Sequence, residues 1–512
     1  MLFNSYPFVL LFLPITLAGF FTLGRRSRGL AIAWLALASL FFYGWWNPVY
    51  VGLLLASITF NYLVARCLHF LDTTALARHR KPLLVLAVGA NLGLLAYYKY
   101  TGFFLRNLNA LAGTHLAADI VLPLGISFFT FTQIAFLVDT YRREVHEFNV
   151  LHYGLFVTYF PHLIAGPILH HKEIMPQFRQ LETYRPDYRN LAIGLSIFAI
   201  GLFKKVNLAD GFAPDVTPAF KAASAGAALG LVDAWRGALA YTLQLYFDFS
   251  GYCDMAIGVS LLFGITLPLN FNSPYQATGI VDFWRRWHMT LSRFLRDYLY
   301  IPLGGNRQGT MRRYLNLFLT MLLGGLWHGA NWTFVAWGAL HGLYLMAEHA
   351  VGARRSQAPS PGLRPIWARS LSTAATFLLV VVGWVFFRAE DLTSGVRFLA
   401  AMAGLNGLGS PLPPQSASDV TLLLQTLGLH ATPLAVLGIA QYLACLYVVF
   451  CLPNVQAIVD RQRYFKELGP GPTSTPRLIW APSPTWSILL ALMTAASLVR
   501  FSRVSEFLYF QF

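Results

Sequence analysis

Long apolar segments alternate with short polar or basic stretches along most of this 512-residue chain. A helix that crosses a membrane needs about 20 consecutive, mostly apolar residues. Segments that approach this length cover residues 7–23, 30–46, 48–65, 82–98, 119–138, 150–169, 190–203, 236–265, 314–350, 369–387, 431–452 and 483–500. The pattern predicts an all-α polytopic membrane protein with about twelve transmembrane or re-entrant helices.

Several of these segments are rich in glycine, proline and polar residues, which favours short, tilted or re-entrant helices. Non-helical backbone at membrane depth is stable only inside protein or beside water. Stretches rich in Pro, Gly or Ser at 354–366, 403–420 and 461–486 are typical of exposed loops. None of the three is long enough for a soluble domain, so we expect residues 1–512 to form a single membrane domain.

Composition supports a membrane protein and excludes several other classes. Hydrophobic residues make up 56% of the chain and charged residues 12%, whereas soluble proteins carry roughly 25% charged residues. The net charge of +16 comes from basic residues that lie mainly between apolar segments. Cytoplasmic loops and lipid headgroups explain such residues, so we expect contact with membrane lipids and no nucleic-acid partner. The four scattered cysteines contain no C-x-x-C and predict neither a disulfide framework nor a metal site.

The basic residues also predict the orientation of the chain. Arg25, Arg26 and Arg28 follow the first apolar segment, and a second basic stretch at 66–81 follows two further segments. Both stretches fall on the same side of the membrane, and the excess of arginine and lysine places that side in the cytoplasm. The N-terminus is therefore predicted to be extracytoplasmic.

Residues 241–254 form an apolar stretch that contains Asp248 and Asp254. A carboxylate inside a membrane is costly and marks a candidate functional site. The alternative is that each aspartate pairs with an arginine of a nearby helix and only holds the bundle together. Because the two lie six residues apart, they point to different faces of a helix, which disfavours a shared metal site.

A second polar and aromatic stretch runs from Asp282 to Tyr300. Its bulky residues recur at helical spacing and predict one face of a continuous helix: Trp284, Trp287, Leu291, Leu295 and Tyr298. The stretch also carries the candidate donor-binding residues Arg285, Arg286 and Arg293. One interpretation is an amphipathic helix at the membrane interface with arginines on lipid headgroups. The other is that the arginines bind the phosphates of an anionic donor such as acetyl-CoA.

A histidine lies in the middle of a third apolar stretch, where His328 is flanked by Trp327 and Gly329. An uncharged histidine can accept a proton from a hydroxyl group during acyl transfer, and small neighbours leave room for a substrate. The alternative is a histidine hydrogen-bonded between helices. The sequence contains no G-x-S-x-G elbow, which disfavours a serine hydrolase.

These stretches together resemble a known family. The motifs at 244–252, 283–288 and 326–331, with further matches at 160–167 and 382–388, are similar to those of the membrane-bound O-acyltransferase (MBOAT) family. The similarity is greatest to its bacterial branch of alginate O-acetyltransferase membrane subunits. It extends from the start of the chain to about residue 389.

The resemblance implies a helix bundle around a central tunnel in the bacterial inner membrane, with a catalytic core at 240–345. Donor would enter from the cytoplasm and acceptor from the other side. By motif match His328 is the base and His288 assists, while the expected donor- and substrate-binding residues are Trp327, Asn331, Asp248, Trp284 and the three arginines above. No resident cofactor is expected. The implied donor is acetyl-CoA, and the implied partners are a periplasmic SGNH-type acetyltransferase or esterase and a polysaccharide acceptor.

The C-terminal tail, residues 501–512, adds a third candidate catalytic residue. Its Phe507-x-Tyr509-x-x-Phe512 pattern resembles a terminal motif of the D-alanylation system, in which the tyrosine is proposed to carry the acyl group. A phenol becomes nucleophilic once a base removes its proton, and its ester is a reactive acyl donor. Two alternatives are an aromatic membrane anchor and a residual expression tag.

The predicted function is O-acetylation of an extracytoplasmic polysaccharide, either alginate-like, cellulose or peptidoglycan. His328 and His288 carry the chemistry, and Tyr509 holds the acetyl group transiently. Two other classes stay open: a transporter or channel whose polar residues line a pathway, and a docking subunit for a periplasmic enzyme. The lack of internal repeats disfavours the transporter.

Overall fold

The computed structural model describes residues 1–355, 365–409, 432–465, 478–501 and 508. Within these ranges the secondary structure is helical and contains no strand. Parts of the predicted loops, residues 356–364, 410–420 and 466–477, lie outside the described residues. The start of the third predicted loop, Arg461–Phe465, is a short helix and not a loop.

The described helices are numbered here in chain order. They are α1 Leu13–Gly24, α2 Arg28–Gly44, α3 Val49–Asp72, α4 Arg80–Leu95, α5 Thr101–Ala112, α6 Ile126–Tyr141, α7 Val150–Thr158, α8 Phe160–Leu163, α9 His171–Ile174, α10 Tyr188–Phe203, α11 Asp210–Ser224, α12 Leu231–Leu262, α13 Ile280–Trp284, α14 Met289–Leu295, α15 Gly309–His328, α16 Trp332–Arg355, α17 Ile366–Arg388, α18 Leu392–Met402, α19 Thr432–Cys451, α20 Val455–Val459, α21 Arg461–Phe465 and α22 Pro484–Val499. Wider π-helical turns at Pro7–Phe12, Ala96–Tyr100, Lys204–Ala209 and Arg296–Tyr300 adjoin several of them.

Five helical runs in the described part are long and apolar enough to cross a membrane. They are Pro7–Gly24, Val49–Asp72, Ala77–Ala112, Tyr188–Ser224 and Ile366–Arg388, and shorter apolar helices accompany them. These runs confirm the predicted all-α membrane protein.

Some predicted helices are wrong in their extent. The segment at 119–138 is helical only from Ile126, and the segment at 150–169 is interrupted. Helix α7 ends at Thr158, Tyr159 adopts a non-helical conformation, and only the short α8 follows. Pro161 causes the break, because it lacks the N–H group that a continuous helix would use to bond the carbonyl of Val157.

The continuous helix predicted through Trp284 to Tyr298 is also wrong. Helix α13 ends at Trp284, α14 begins at Met289, and His288 between them has a left-handed backbone with φ of 43°. Trp287 and His288 are both buried rather than arranged along one helical face. Two short helices account for the periodicity. The segment between them is held by main-chain hydrogen bonds to residues 270–272.

The chain divides into two compact units. The first comprises Met1–Leu202, Tyr252–Leu269 and Val455–Val504, and the second comprises Phe203–Gly251, Asn270–Asn454 and Ser505–Phe512. Residues 252–269 of the predicted catalytic core fall in the first unit, and the remainder falls in the second.

Buried amide and hydroxyl groups join helices inside the first unit. Asn61 of α3 and Asn91 of α4 exchange side-chain hydrogen bonds of 3.1 and 2.7 Å. Gln133 of α6 donates to Ser57 at 2.9 Å and accepts from Tyr153 of α7 at 3.2 Å. Lipid offers no driving force for helix association beyond packing and such bonds, so these pairs fix the neighbours of each helix.

In the second unit, glycines bring α15 and α16 into backbone contact. A Cβ atom on Gly325 would lie 2.3 Å from the carbonyl oxygen of Phe334, and one on Gly338 would lie 2.5 Å from that of Met321. Small residues permit this close approach of two helices. Since α15 ends at His328 and α16 begins at Trp332, the crossing determines where the histidine lies.

We predict that Gly338→Ala forces α15 and α16 apart and destabilises the protein by about 1–3 kcal/mol, the usual cost of overpacking. Gly352→Ala is the matched control, because it lies on the same helix and an added Cβ would meet no atom within 4 Å. Thermal unfolding of both variants in detergent measures the difference. Equal unfolding temperatures for the two variants would contradict the close crossing.

Candidate active site

His328 is the last residue of α15, and its side chain is 6% exposed. Three aromatic rings surround it: Trp327 at 5.0 Å, Trp337 at 5.3 Å and Phe387 at 5.2 Å between ring centroids. An imidazole among such rings is shielded from water but keeps its polar nitrogens. The predicted base therefore lies in a dry, aromatic setting.

His288 lies in the segment between α13 and α14 and is fully buried. Its Nδ1 is 3.1 Å from the Oδ1 atom of Asn270. The same Oδ1 accepts hydrogen bonds from the main-chain N–H and the hydroxyl of Thr290, at 3.3 and 2.9 Å. The main-chain N–H of Met289 donates to the Asn270 carbonyl at 3.0 Å. Asn270 thus fixes both the backbone and the ring of the histidine.

These contacts determine which nitrogen of His288 carries the proton. A main-chain N–H group can only donate, so the Asn270 atom that faces Thr290 is the amide oxygen, and Nδ1 must donate to it. Burial lowers the pKa of His288 to about 3, so the ring is neutral near pH 7. A neutral ring with a proton on Nδ1 has a lone pair on Nε2. His288 therefore offers a hydrogen-bond acceptor in a fixed orientation.

The structure brings the two predicted catalytic histidines together. The ring centroids of His288 and His328 lie 6.3 Å apart, and Trp327 contacts both rings. Phe249 of α12 packs edge-on against His288 at 4.8 Å. Two imidazoles at this separation can act on opposite sides of one reacting group.

A larger aromatic cluster extends from this pair. Its members are Phe283, Trp284, Trp287, Trp337, Trp384 and Phe387, with ring separations between 4.9 and 6.4 Å. The predicted substrate-binding residue Trp284 belongs to this cluster and lies 5.8 Å from Trp337. Trp284 contacts Trp337, and Trp337 in turn contacts His328.

The sequence analysis missed a third histidine in this cluster. His341 of α16 is fully buried 4.9 Å from Trp337, and within the described part of the chain neither of its ring nitrogens has a hydrogen-bond partner. A buried polar group in that state carries a free-energy penalty of about 1–3 kcal/mol. Gly383 leaves room for the ring, since a Cβ there would lie 2.9 Å from Nε2. A histidine before a glycine in an apolar run, the signal that singled out His328, is also present here.

Other predicted binding residues take up different contacts. Asn331 caps α16, because its side chain accepts from the Thr333 N–H at 3.3 Å and donates to the Glu390 carbonyl at 2.8 Å. Arg286 pairs with Asp282 at 2.8 Å. Arg285 is exposed and Arg293 is half-buried. Tyr509 lies outside the described residues.

Asp248 has a buried cationic partner, but it is a lysine rather than the arginine that the sequence suggested. The Nζ atom of Lys205 lies 2.7 Å from the Asp248 carboxylate, and both residues are 1% exposed. Asp254 instead accepts a hydrogen bond from Gln456 at 2.6 Å. Lys205 follows an apolar segment and Lys204, a sequence typical of the end of a membrane span.

The described residues contain no group of three or more His, Cys, Asp or Glu side chains that could hold a metal ion.

Comparison with known proteins identifies the family to which the chain belongs. The model of the membrane-bound O-acyltransferase family matches residues 91–366, which is more than half of the chain. The chain belongs to the membrane-bound O-acyltransferase family and is an acyltransferase.

Three named relatives show to which acyltransferases the chain is similar. The chain is 43% identical to a peptidoglycan O-acetyltransferase of Helicobacter pylori over 485 residues, which cover 89% of this chain and 90% of the relative. It is 40% identical to a probable alginate O-acetylase of Azotobacter vinelandii over 520 residues, with full coverage of both chains. A teichoic acid D-alanyltransferase of Bacillus subtilis is 28% identical over 288 residues, which cover 54% of this chain and 71% of the relative.

We predict that Asn270→Ala lowers acetyl transfer about ten- to a hundredfold, because His288 loses the bond that fixes its orientation and its tautomer. The measurement is the acetyl-ester content of the cell's glycan, normalised to the amount of protein in the membrane. Asn270→Asp retains the acceptor and places a carboxylate against the ring. It should raise the pKa of His288 and move the acid limb of the activity profile to higher pH. Normal acetylation by the alanine variant, or an unmoved acid limb in the aspartate variant, would contradict the positioning role.

Proposed function

We propose that this acyltransferase takes an acetyl group from cytoplasmic acetyl-CoA and passes it across the bacterial inner membrane, where it O-acetylates a polysaccharide. The observation that carries the proposal is the buried pair of His288 and His328, with one ring fixed in orientation by Asn270. A transporter needs a polar pathway but no oriented acceptor nitrogen beside a second imidazole.

The relatives support a glycan acceptor. Two of the names above refer to O-acetylation, one of peptidoglycan and one of alginate. The acceptor class is therefore an extracytoplasmic polysaccharide, of the alginate, cellulose or peptidoglycan kind. The basic stretches after the first and third apolar segments support an extracytoplasmic N-terminus in the inner membrane.

In the first chemical step, the phenol of Tyr509 gives its proton to a ring nitrogen of His328. The phenolate oxygen then forms a bond to the acetyl carbonyl carbon, and the carbon–sulfur bond of the thioester breaks. The departing thiolate takes the proton from the imidazolium, which restores neutral His328 and releases the free thiol. His288 accepts a hydrogen bond through Nε2 and orients the reacting hydroxyl.

In the second step, a hydroxyl group attacks the acetyl carbon of the tyrosine ester. The bond between that carbon and the phenol oxygen breaks, and the phenol regains a proton from the attacking hydroxyl. The hydroxyl belongs either to the glycan or to the serine of a periplasmic SGNH-type partner, which then completes the transfer. A phenyl ester is a better acyl donor than the alkyl ester it forms, so the step runs downhill.

Two arginines are assigned to the donor. Arg285 is exposed and Arg293 is half-buried, so their guanidinium groups can reach the phosphates of acetyl-CoA. Arg286 is assigned a structural role instead, since its guanidinium already pairs with Asp282.

We predict that His328→Ala abolishes glycan acetylation while the protein still accumulates in the membrane. The physical reason is the loss of the group that takes the hydroxyl proton, which costs about a hundredfold or more. Ester content of isolated glycan, with immunodetection of the membrane protein, is the measurement. Retained acetylation would favour a transporter or a docking subunit.

We predict that Tyr509→Phe abolishes acetylation to a similar extent, because the aromatic ring is retained but the acyl-carrying oxygen is lost. Phe510→Tyr in the same background tests the position of the phenol and should not restore activity. A fully active Tyr509→Phe variant would return the tail to the role of a membrane anchor.

A further inference from the structure

Three charged side chains meet in the second unit. The Nζ atom of Lys205 lies 2.6 Å from the Asp210 carboxylate and 2.7 Å from that of Asp248. Lys205 and Asp248 are buried, while Asp210 is partly exposed. One cation is thus shared between two anions, and the cluster carries a net charge of −1 when all three groups are ionised.

A residue of the C-terminal tail completes this cluster. The main-chain N–H of Leu508 donates a hydrogen bond to the Asp248 carboxylate, and the Leu508 side chain is buried. Leu508 immediately precedes Tyr509 in the sequence.

The charge balance explains why the tail binds there. A buried carboxylate that shares a cation with a second carboxylate needs further hydrogen-bond donors to offset its desolvation. A main-chain N–H is such a donor, and hydrogen bonds to ionised acceptors are roughly twice as strong as neutral ones. The tail therefore gains a strong anchor, and Asp248 gains a donor.

Asp248, which accepts the hydrogen bond from Leu508, is linked through its helix to the histidine pair. Asp248 is followed on α12 by Phe249, whose ring packs against His288 at 4.8 Å. His288 in turn lies 6.3 Å from His328. The residue that accepts the hydrogen bond of the tail is therefore the sequence neighbour of a residue whose ring contacts His288.

We propose that Lys205, Asp210 and Asp248 form an intramolecular binding site for the C-terminal tail, which holds the main chain at Leu508 and so positions residue 509 for acyl transfer. The binding site itself does not depend on the chemistry, but its purpose rests on the proposed function. Lys205 and Asp248 are accordingly positioning residues rather than donor-binding ones.

A purely structural role is the competing explanation, in which the ion pairs only join α12 to the turn at Lys204–Ala209. That role predicts loss of stability when the pair is changed, but no specific effect on the tail. Hydrogen exchange at the Leu508 amide separates the two, because it reports the bond to Asp248 directly.

The test uses the full-length protein in detergent, with hydrogen exchange resolved to single amides by mass spectrometry. We expect the Leu508 amide to be protected in the wild-type protein. Asp248→Asn retains the shape of the side chain and balances the remaining charges of Lys205 and Asp210. It should speed exchange at Leu508 about tenfold, the effect of weakening one charge-assisted hydrogen bond. Asp215→Asn is the matched control, since this other buried carboxylate accepts from Tyr442 at 2.9 Å.

A second pair of variants alters the tail and leaves the core unchanged. Leu508→Pro removes the donating N–H group and should reduce glycan acetylation at least tenfold. Ser505→Pro places a proline in the same tail but retains the N–H group of Leu508, and should stay active. Equal activity of these two variants would overturn the proposal, as would an unprotected Leu508 amide or exchange that does not change in Asp248→Asn.

The failure of this proposal is distinguishable from failure of the proposed function. Protection that depends on Asp248, together with full activity of Tyr509→Phe, would support the binding site and remove the tyrosine relay. An unprotected tail together with inactive Tyr509→Phe would leave the relay in place and overturn the binding site.

Discussion

The side-chain oxygen of Asn270 is the acceptor on which the arrangement of the site depends. It bonds the Nδ1–H group of His288 and both donors of Thr290, while the Asn270 carbonyl bonds the N–H of Met289. These bonds hold the chain between α13 and α14 in the left-handed conformation that a continuous helix would not contain. The same bonds fix the tautomer, so local backbone geometry and proton chemistry have one cause.

Close packing of two helices positions the second histidine, His328. Gly325 and Gly338 let the backbones of α15 and α16 touch, and the turn between the two helices then holds His328 among Trp327, Trp337 and Phe387. Tryptophan and phenylalanine rings exclude water without competing for the imidazole protons. Such surroundings would keep solvent away from a hydroxyl group activated there, as the proposed transfer requires.

The sequence predicted the helical membrane fold well, because long apolar segments carry a strong signal. His288 and His328 were predicted from motifs, and the structure places them together. The continuous helix at 284–298 was wrong, since periodicity cannot register a main-chain bond from a residue some twenty positions away. Asn270 and Lys205 gave no local signal of their importance: both act through partners that are distant in sequence. His341 did have a signal, because it lies in an apolar run before a glycine, as His328 does.

The central claim is that the histidine pair transfers an acetyl group through Tyr509. Its most direct test is intact-protein mass spectrometry with peptide mapping, on protein purified from cells that express either the wild type or His328→Ala. We expect one acetyl adduct on the peptide that contains Tyr509 in the wild type, and none in the variant. An adduct of equal abundance in both proteins would contradict base catalysis by His328, and the absence of an adduct from both would contradict the tyrosine relay.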